Sequence, residues 1–272
     1  MHFWKMTAGG NDFILFDNRL SPPLNLSPSD INSLCRRRLS VGADGIILME
    51  KSEQANIKMH YFNADGSSAP LCGNGVRCLA RLAFEKKIAR GKITIETGAG
   101  IIIAEHRGEN ISLKMLSPRK LELNVTLQLG DKVIEGHFID VGAPFFLIPY
   151  QDIENCPVKE LGPSLCRHSF FQSYGGSNVA FFKVMDRGSI RLRVYERGVE
   201  EETLSCGTGC LAVSLVAAAL GLTEAPIICH TQGGTSIKVN FLYDGEKFSN
   251  PSIEGDAKLI YEGKIHPQAL KA

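Results

Sequence analysis

Net charge is almost absent from this sequence: 30 Lys and Arg stand against 29 Asp and Glu, leaving +1 over 272 residues. Such a balance gives no broad attraction to nucleic acid or to an anionic membrane, and neither is expected as a partner. Long hydrophobic runs are missing too. The longest, around residues 211–222, falls well short of the roughly 20 residues a membrane span needs. Residues 1–10 hold one lysine and no apolar core, so no secretory leader is expected and a cytoplasmic protein is the reading. Cysteine is scarce for a disulfide scaffold, with eight in the chain. No Cys-x-x-Cys or Cys/His cluster falls at zinc spacing, and Cys72 and Cys78 are wrongly spaced for one, so no metal is expected.

What the chain does have is ordinary globular composition, 44% hydrophobic and 22% charged, at a length that suits two domains. It also has an arrangement that occurs twice. "LCGNGVRCLA" at 71–80 returns as "SCGTGCLA" at 205–212, with Cys72 and Cys206 separated by 134 residues. The same offset relates "ETGAGIIIAE" at 96–105 to "HTQGGTSIKV" at 230–239, which argues for an internal duplication. Upstream, "GGNDF" at 9–13 is matched more loosely to "GGSNVAF" at 175–181.

"IKMHYFNA" and "IRLRVYERG" alternate apolar and polar residues and read as strands. "KITIET" and "GIIIAEH" flank Gly98-Ala99-Gly100 and read as a hairpin. The run after Cys72 is expected to be a helix with Arg77, Arg81, Lys86 and Lys87 along one side and a stop at Gly91. The run after Cys206 is apolar all round, as in a helix enclosed by its own domain. The expected fold is α/β (α+β): two pseudo-symmetric domains, residues 1–118 and 119–272, each a mixed sheet or open barrel around a central helix, with the final strand packing back on the N-terminal domain.

A helix start presents unpaired backbone N–H groups and a partial positive charge. A cysteine there is expected to favour its thiolate and to act as a base near neutral pH. The glycines after it let a ligand approach the backbone, and the free N–H groups suit a carboxylate. Two such ends fit inversion of a carbon beside a carboxylate: one thiolate removes a proton from one face, and a thiol returns one to the other. Cys35, Cys78, Cys156, Cys166, Cys210 and Cys229 lack this setting and read as structural.

"MTAGGNDF", "YFNADGS" leading into "CGNGVRC", "GGSNVAF", "VYERG" and "SCGTG" together resemble, in order and along nearly the whole chain, the diaminopimelate epimerase family. The resemblance implies two α/β domains with an active site between them. It further implies interconversion of LL- and meso-diaminopimelate without pyridoxal phosphate or any other cofactor. It makes Cys72 and Cys206 the acid/base thiols and a small amino acid the partner, and leaves a homodimer open. The substrate-binding residues it implies are the backbone of Gly73, Asn74, Gly207 and Thr208, with Asn11, Asn63, Asn178, Glu196 and Arg197. Arg197 suits a distal carboxylate, while the amides and Glu196 suit a distal ammonium. Asp44-Gly45 and Asp65-Gly66 read as turns.

The chain departs from the family where Gly-Asn-Pro-His is usual and Gly142-Ala143-Pro144-Phe145 stands instead. The resemblance makes that asparagine a substrate contact and that histidine a neighbour of one thiol. Their loss implies weaker selection at the distal end and tolerance of other dicarboxylic amino acids such as glutamate. Gly255-Asp256-Ala257 replaces Gly-Pro-Ala and is expected to be a local loop difference. Two alternatives remain beside this reading: a proline or hydroxyproline racemase or epimerase, and a non-catalytic module that binds or senses through its thiols.

Overall fold

Alternation in the strands and encirclement of two helices organise the chain in a computed structural model, which describes residues 1–19 and 22–271. The chain divides into two units: Met1–Leu113 with Gly255–Ala272, and Lys114–Glu254. The break expected at 118/119 lies just inside the second unit, because the chain passes from β8 into the next unit's residues at Lys114. Among the described residues no helix is long and apolar enough to cross a membrane.

The first unit holds β1 (His2–Ala8), β2 (Asn11–Asp17), β3 (Gly45–Glu50), β4 (Ile57–Asn63), β5 (Ser68–Ala69), β6 (Lys92–Thr97), β7 (Gly100–Arg107) and β8 (Asn110–Lys114), with α1 (Pro28–Cys35) and α2 (Gly73–Glu85). The second holds β9 (Lys120–Leu129), β10 (Lys132–Asp140), β11 (Pro144–Pro149), β12 (Asn178–Asp186), β13 (Ser189–Glu196), β14 (Glu201–Thr203), β15 (Ile227–His230), β16 (Ser236–Tyr243) and β17 (Phe248–Asp256), with α3 (Val158–Cys166) and α4 (Gly207–Ala219). A last strand, β18 (Lys258–Lys264), pairs antiparallel with β1 in the first unit.

The two units share one strand plan. In the first, β18–β1–β2 run antiparallel, β2–β3 parallel, β3–β4 antiparallel, β4–β6 parallel and β6–β7–β8 antiparallel, with the short β5 beside β4. In the second, β9–β10–β11, β11–β12, β12–β13, β13–β15 and β15–β16–β17 repeat that series, with the short β14 beside β13. Helix α1 precedes β3 as α3 precedes β12, and α2 follows β5 as α4 follows β14. The register corrects the loose upstream match. Phe13 pairs with Gly45 and Phe145 with Asn178, so the counterpart of Gly10-Asn11 is Gly142-Ala143, not the Gly175-Gly176 segment.

Each unit closes on its own helix. Helix α2 packs against β1, β2, β3, β4, β6, β7 and β18, and α4 against β10, β11, β12, β13, β15 and β16. In α4 every residue from Gly209 through Ala218 is buried, so its apolar circumference is matched by strands on all sides. Each fully buried Leu, Ile or Val there contributes roughly 1.5–3 kcal/mol. Strand β13 shows the complementary rule: Ile190, Leu192 and Val194 are buried, while Arg191 and Arg193 pair with Glu154 and Glu202. Helix α1 begins with a capping box, Ser27 against Asp30, and Pro28 in its first turn.

Helix α2 departs from expectation at both ends of its charged stripe. Arg77 is fully buried, whereas Lys86 and Lys87 are exposed. The helix also stops before Gly91: its cap is Lys86, and Lys87 takes the left-handed φ of +59° that Gly221 takes, at +73°, after α4.

Candidate active site

Cys72 and Cys206 are the N-cap residues of the two enclosed helices, with φ, ψ of −138°, 111° and −123°, 104°. Neither side chain makes a regular cap hydrogen bond, although the Cys206 thiol lies 3.5 Å from Thr208 Oγ1 and is hydrogen-bonded to Gly209 N–H. The first helical bonds run from Val76 N–H to Cys72 O at 2.8 Å and from Cys210 N–H to Cys206 O at 2.9 Å. The N–H groups of residues 73–75 and 207–209 precede these and have no intrahelical acceptor. The glycines differ in purpose. A Cβ on Gly75 would lie 2.9 Å from Ile47 and 3.1 Å from Met59, and one on Gly209 3.2 Å from Val194, so these let the helix seat on its sheet. A Cβ on Gly73 would meet nothing within 4 Å: the backbone there faces open space.

In the first unit the structure brings Asn11 and Asn74 together, with Asn74 Nδ2 donating to Asn11 Oδ1 at 2.7 Å. Asn63 lies across from Gly45 in the β3–β4 register. Its Nδ2 donates to Ser67 Oγ at 3.0 Å within the turn that Asp65 and Gly66 form. Asp44-Gly45 is not a turn of that kind. Gly45 opens β3, where a Cβ would fall 2.5 Å from Phe62 O, and Asp44 accepts from Asn11. Nor is Asp256 merely a loop difference: it ends β17, and its carboxylate accepts from Gly9 N–H at 3.0 Å.

In the second unit Glu196, at the end of β13, meets Cys206. Its carboxyl accepts from the Thr203 hydroxyl and is hydrogen-bonded to the Cys206 thiol. Burial pushes the Glu196 carboxyl above its ordinary range, and those two hydrogen bonds offset only part of that. Burial likewise pushes the Cys206 thiol well up, Glu196 adds to it, and Thr208 with the Gly209 N–H pull the other way. Burial at Cys206 thus works against the thiolate that a helix end favours. Desolvation and the neighbouring Glu196 favour the protonated thiol there. Glu196 accordingly sits against the Cys206 thiol.

Asn178 and Arg197 are joined as well. Arg197 N–H donates to Asn178 Oδ1 at 3.0 Å, and Asn178 Nδ2 donates to Pro144 O at 3.0 Å. The Arg197 guanidinium is held by Tyr174 O at 2.5 Å and Gly176 O at 3.1 Å. Gly176 makes that possible, since a Cβ would stand 2.9 Å from Cys166 O and 3.2 Å from the Arg197 side chain. Phe145 is fully buried in β11, and Ala143 is half-buried just before it. Cys35, Cys78, Cys156, Cys166, Cys210 and Cys229 are buried thiols, with burial pushing Cys35 and Cys156 each to about 11. Among the described residues no three His, Cys, Asp or Glu side chains cluster to hold a metal.

The family model for diaminopimelate epimerase matches residues 3–121 and 137–259. This chain belongs to the diaminopimelate epimerase family. The diaminopimelate epimerase of Aquifex aeolicus is 35% identical over 283 residues, covering 100% of both chains. That of a Hydrogenobaculum species is 37% identical, covering 96% of this chain and 97% of the relative. Solved structures share the fold at lower identity. A hydroxyproline epimerase from Agrobacterium vitis with bound trans-4-hydroxy-L-proline aligns with a TM-score of 0.70 at 15% identity, over 99% of this chain and 94% of that one. A phenazine biosynthesis protein of the PhzF family from Bacillus anthracis aligns with a TM-score of 0.69 at 18% identity, over 98% and 99%. At these identities the likeness speaks for the fold.

Proposed function

We propose that the protein inverts the α-carbon of diaminopimelate, interconverting the LL and meso forms by proton transfer between two cysteines. The observation that carries the reading is the matched pair of helix starts. Each has a cysteine at the N-cap in place of an oxygen-bearing cap residue, and each is followed by a glycine and the N–H groups of a helix start. Gly73, Asn74, Gly207 and Thr208 offer those N–H groups to the carboxylate of the reacting end. Cys72 serves one face of the α-carbon and Cys206 the other. A thiolate takes the α-proton, the C–H electron pair moves into the carboxylate, and the opposing S–H protonates the far face. One thiol and one thiolate exchange places with no net change. The N–H groups stabilise the charge that builds on the carboxylate oxygens. Arg197, held at one nitrogen by two carbonyls, receives the distal carboxylate, and Asn178 and Asn63 read the same end.

The substrate is thus a free amino acid handled in the cytoplasm without a cofactor, and the near-zero net charge is in keeping with that. Ala143 puts a methyl group where the resemblance puts a substrate-contacting asparagine, while Phe145 is buried in β11, so we extend the reading to glutamate as a slower substrate. The test is turnover of LL-diaminopimelate and L-glutamate by reduced protein in deuterium oxide. Deuterium at the α-carbon of both products is expected. Exchange with neither rejects the reading, and diaminopimelate alone removes the glutamate extension.

Gly73→Ala checks the carboxylate position. The added methyl meets nothing in the protein, and Gly73 does not have a left-handed φ. The thermal midpoint should hold, because alanine is a better helix former than glycine. The methyl occupies the space in front of the N–H groups, and kcat/KM for LL-diaminopimelate should fall about a hundredfold, as when an oxyanion donor is lost.

A further inference from the structure

Four side chains of the first unit form a chain of hydrogen bonds that all point the same way. Arg77 Nη2 donates to Asn74 Oδ1 at 2.8 Å, Asn74 Nδ2 donates to Asn11 Oδ1 at 2.7 Å, and Asn11 Nδ2 donates to Asp44 Oδ2 at 3.0 Å. A guanidinium has only donors and a carboxylate only acceptors. With these at the two ends, each carboxamide between them has a single allowed orientation. Turning Asn11 over would set its oxygen against Asp44 and its NH2 against the NH2 of Asn74. Turning Asn74 over would set its NH2 against Arg77.

The ends are themselves anchored. Arg77 is fully buried, and its Nε donates to Asp256 O at 3.1 Å. Asp44 accepts from Arg37 Nη2 at 2.7 Å and from Asp12 N–H at 3.2 Å. Bonds in such a directed series polarise one another.

The second unit acts as an internal control, because it builds the same fold with none of these groups. Counting from the cysteines, the counterpart of Asn74 is Thr208 and that of Arg77 is Leu211, itself fully buried. Counting from the paired strands, Asn11 corresponds to Ala143 and Asp44 to Ser177, whose hydroxyl donates to Asn178 O. A leucine therefore satisfies the architecture where the first unit buries a charge. Burying that charge gives no assured gain in stability over an apolar residue.

From this contrast the structure assigns Arg77 and Asp44 as positioning residues, which fix the carboxamide of Asn11 and lock the first turn of α2 to it for substrate binding. This rests on the epimerase reading, with Asn11 as a substrate contact. The relay pins the residue two places after Cys72 to the strand that carries Asn11, and it sets which atom of Asn11 faces the substrate.

Asp44→Asn is the decisive variant. It is isosteric, and it replaces the ionised, acceptor-only end by a neutral carboxamide whose single oxygen must serve Asn11, Asp12 N–H and Arg37, so the Asn11 carboxamide is no longer held to one orientation. The expected result for LL-diaminopimelate is a KM raised about tenfold, equivalent to one hydrogen bond of about 1.4 kcal/mol. The kcat should stay within about threefold and the thermal midpoint unchanged, since Asn11 does not touch the reacting carbon in this scheme. Arg77→Leu should raise KM by a similar factor while folding normally, because Leu211 fills that place in the second unit, and Arg77→Lys, which keeps a donor-only end, should recover most of it. An unchanged KM in Asp44→Asn, or a fall in kcat and thermal midpoint with KM unmoved, overturns the positioning role. Calorimetric titration of wild type and variants with LL-diaminopimelate reads the same effect in Kd. A wild type that neither binds nor turns over the compound overturns the epimerase reading and the relay's role with it. A wild type that works beside variants with unaltered KM and Kd overturns the relay alone.

Discussion

Cys72→Ala and Cys206→Ala should each abolish inversion, by on the order of 10³-fold or more, the upper range for removing a positioned proton donor or acceptor. The informative result lies in what each variant keeps. With one thiol gone, the other can still remove the α-proton from the stereoisomer whose C–H faces it and return a solvent-derived proton to the same face. Each variant is therefore expected to exchange the α-hydrogen of a single isomer without inverting it, and the two variants should exchange opposite isomers. Wild type exchanges both. Cys72 makes no cap hydrogen bond to α2, and Cys206 gives α4 only the weak thiol contact with Gly209 N–H, so alanine costs either helix little. Proton NMR of LL- and meso-diaminopimelate in deuterium oxide follows exchange and inversion together. Inversion at near wild-type rate by either variant, or exchange of the same isomer by both, rules out one thiol per face.

The 134-residue offset was a strong guide because the two helix starts must satisfy the same backbone requirements. A cysteine at the N-cap, a glycine opening the helix and a second glycine seated against the sheet leave a pattern that sequence spacing preserves. The upstream match misled for a related reason. Gly9 and Gly10 have φ of +56° and +86°, and Gly175 and Gly176 have +68° and +99°. Both pairs meet the same local need for left-handed backbone at different places in the fold, so likeness of residues outran likeness of position. Only strand register separates the two.

Arg77 was hidden by the opposite effect. A single arginine at helical spacing from Arg81 looks like part of a solvated stripe, and nothing local shows that carbonyl and carboxamide oxygens await it inside. Asp44 was hidden by its glycine neighbour, which reads as a turn until Phe62 O is seen to approach Gly45. Thr203 carried no signal at all, since its hydroxyl matters only through the β13–β14 pairing that sets it against Glu196.

Glu196→Gln tests how the buried thiol at Cys206 can work in both directions. At rest Cys206 is protonated, held so by burial and by Glu196, which suits it to donate. To serve as base it must first lose that proton, and the carboxylate hydrogen-bonded to it is the available acceptor. The ionised form of Glu196 is then required for the direction in which Cys206 is the base. Because burial raises the Glu196 pKa above its ordinary 4.5, the acid limb of kcat/KM in that direction should lie above pH 4.5, with activity lost as pH falls through the raised value. Glutamine does not ionise, so the variant should lose that limb and show a roughly hundredfold lower kcat there, the scale of one proton-transfer partner. The reverse direction, in which Cys206 donates, should suffer less.

Stability follows the opposite sign. A carboxyl whose folded pKa is raised favours the fold while it is protonated, and that contribution is lost as pH rises through the folded value. Once ionised, the buried Glu196 costs stability, and Glu196→Gln should leave the thermal midpoint unchanged or higher. A variant with lower activity and a higher midpoint separates a proton-transfer role from a structural one. An acid limb that persists unaltered in Glu196→Gln would assign that ionisation to another group and leave the Cys206 proton without its acceptor.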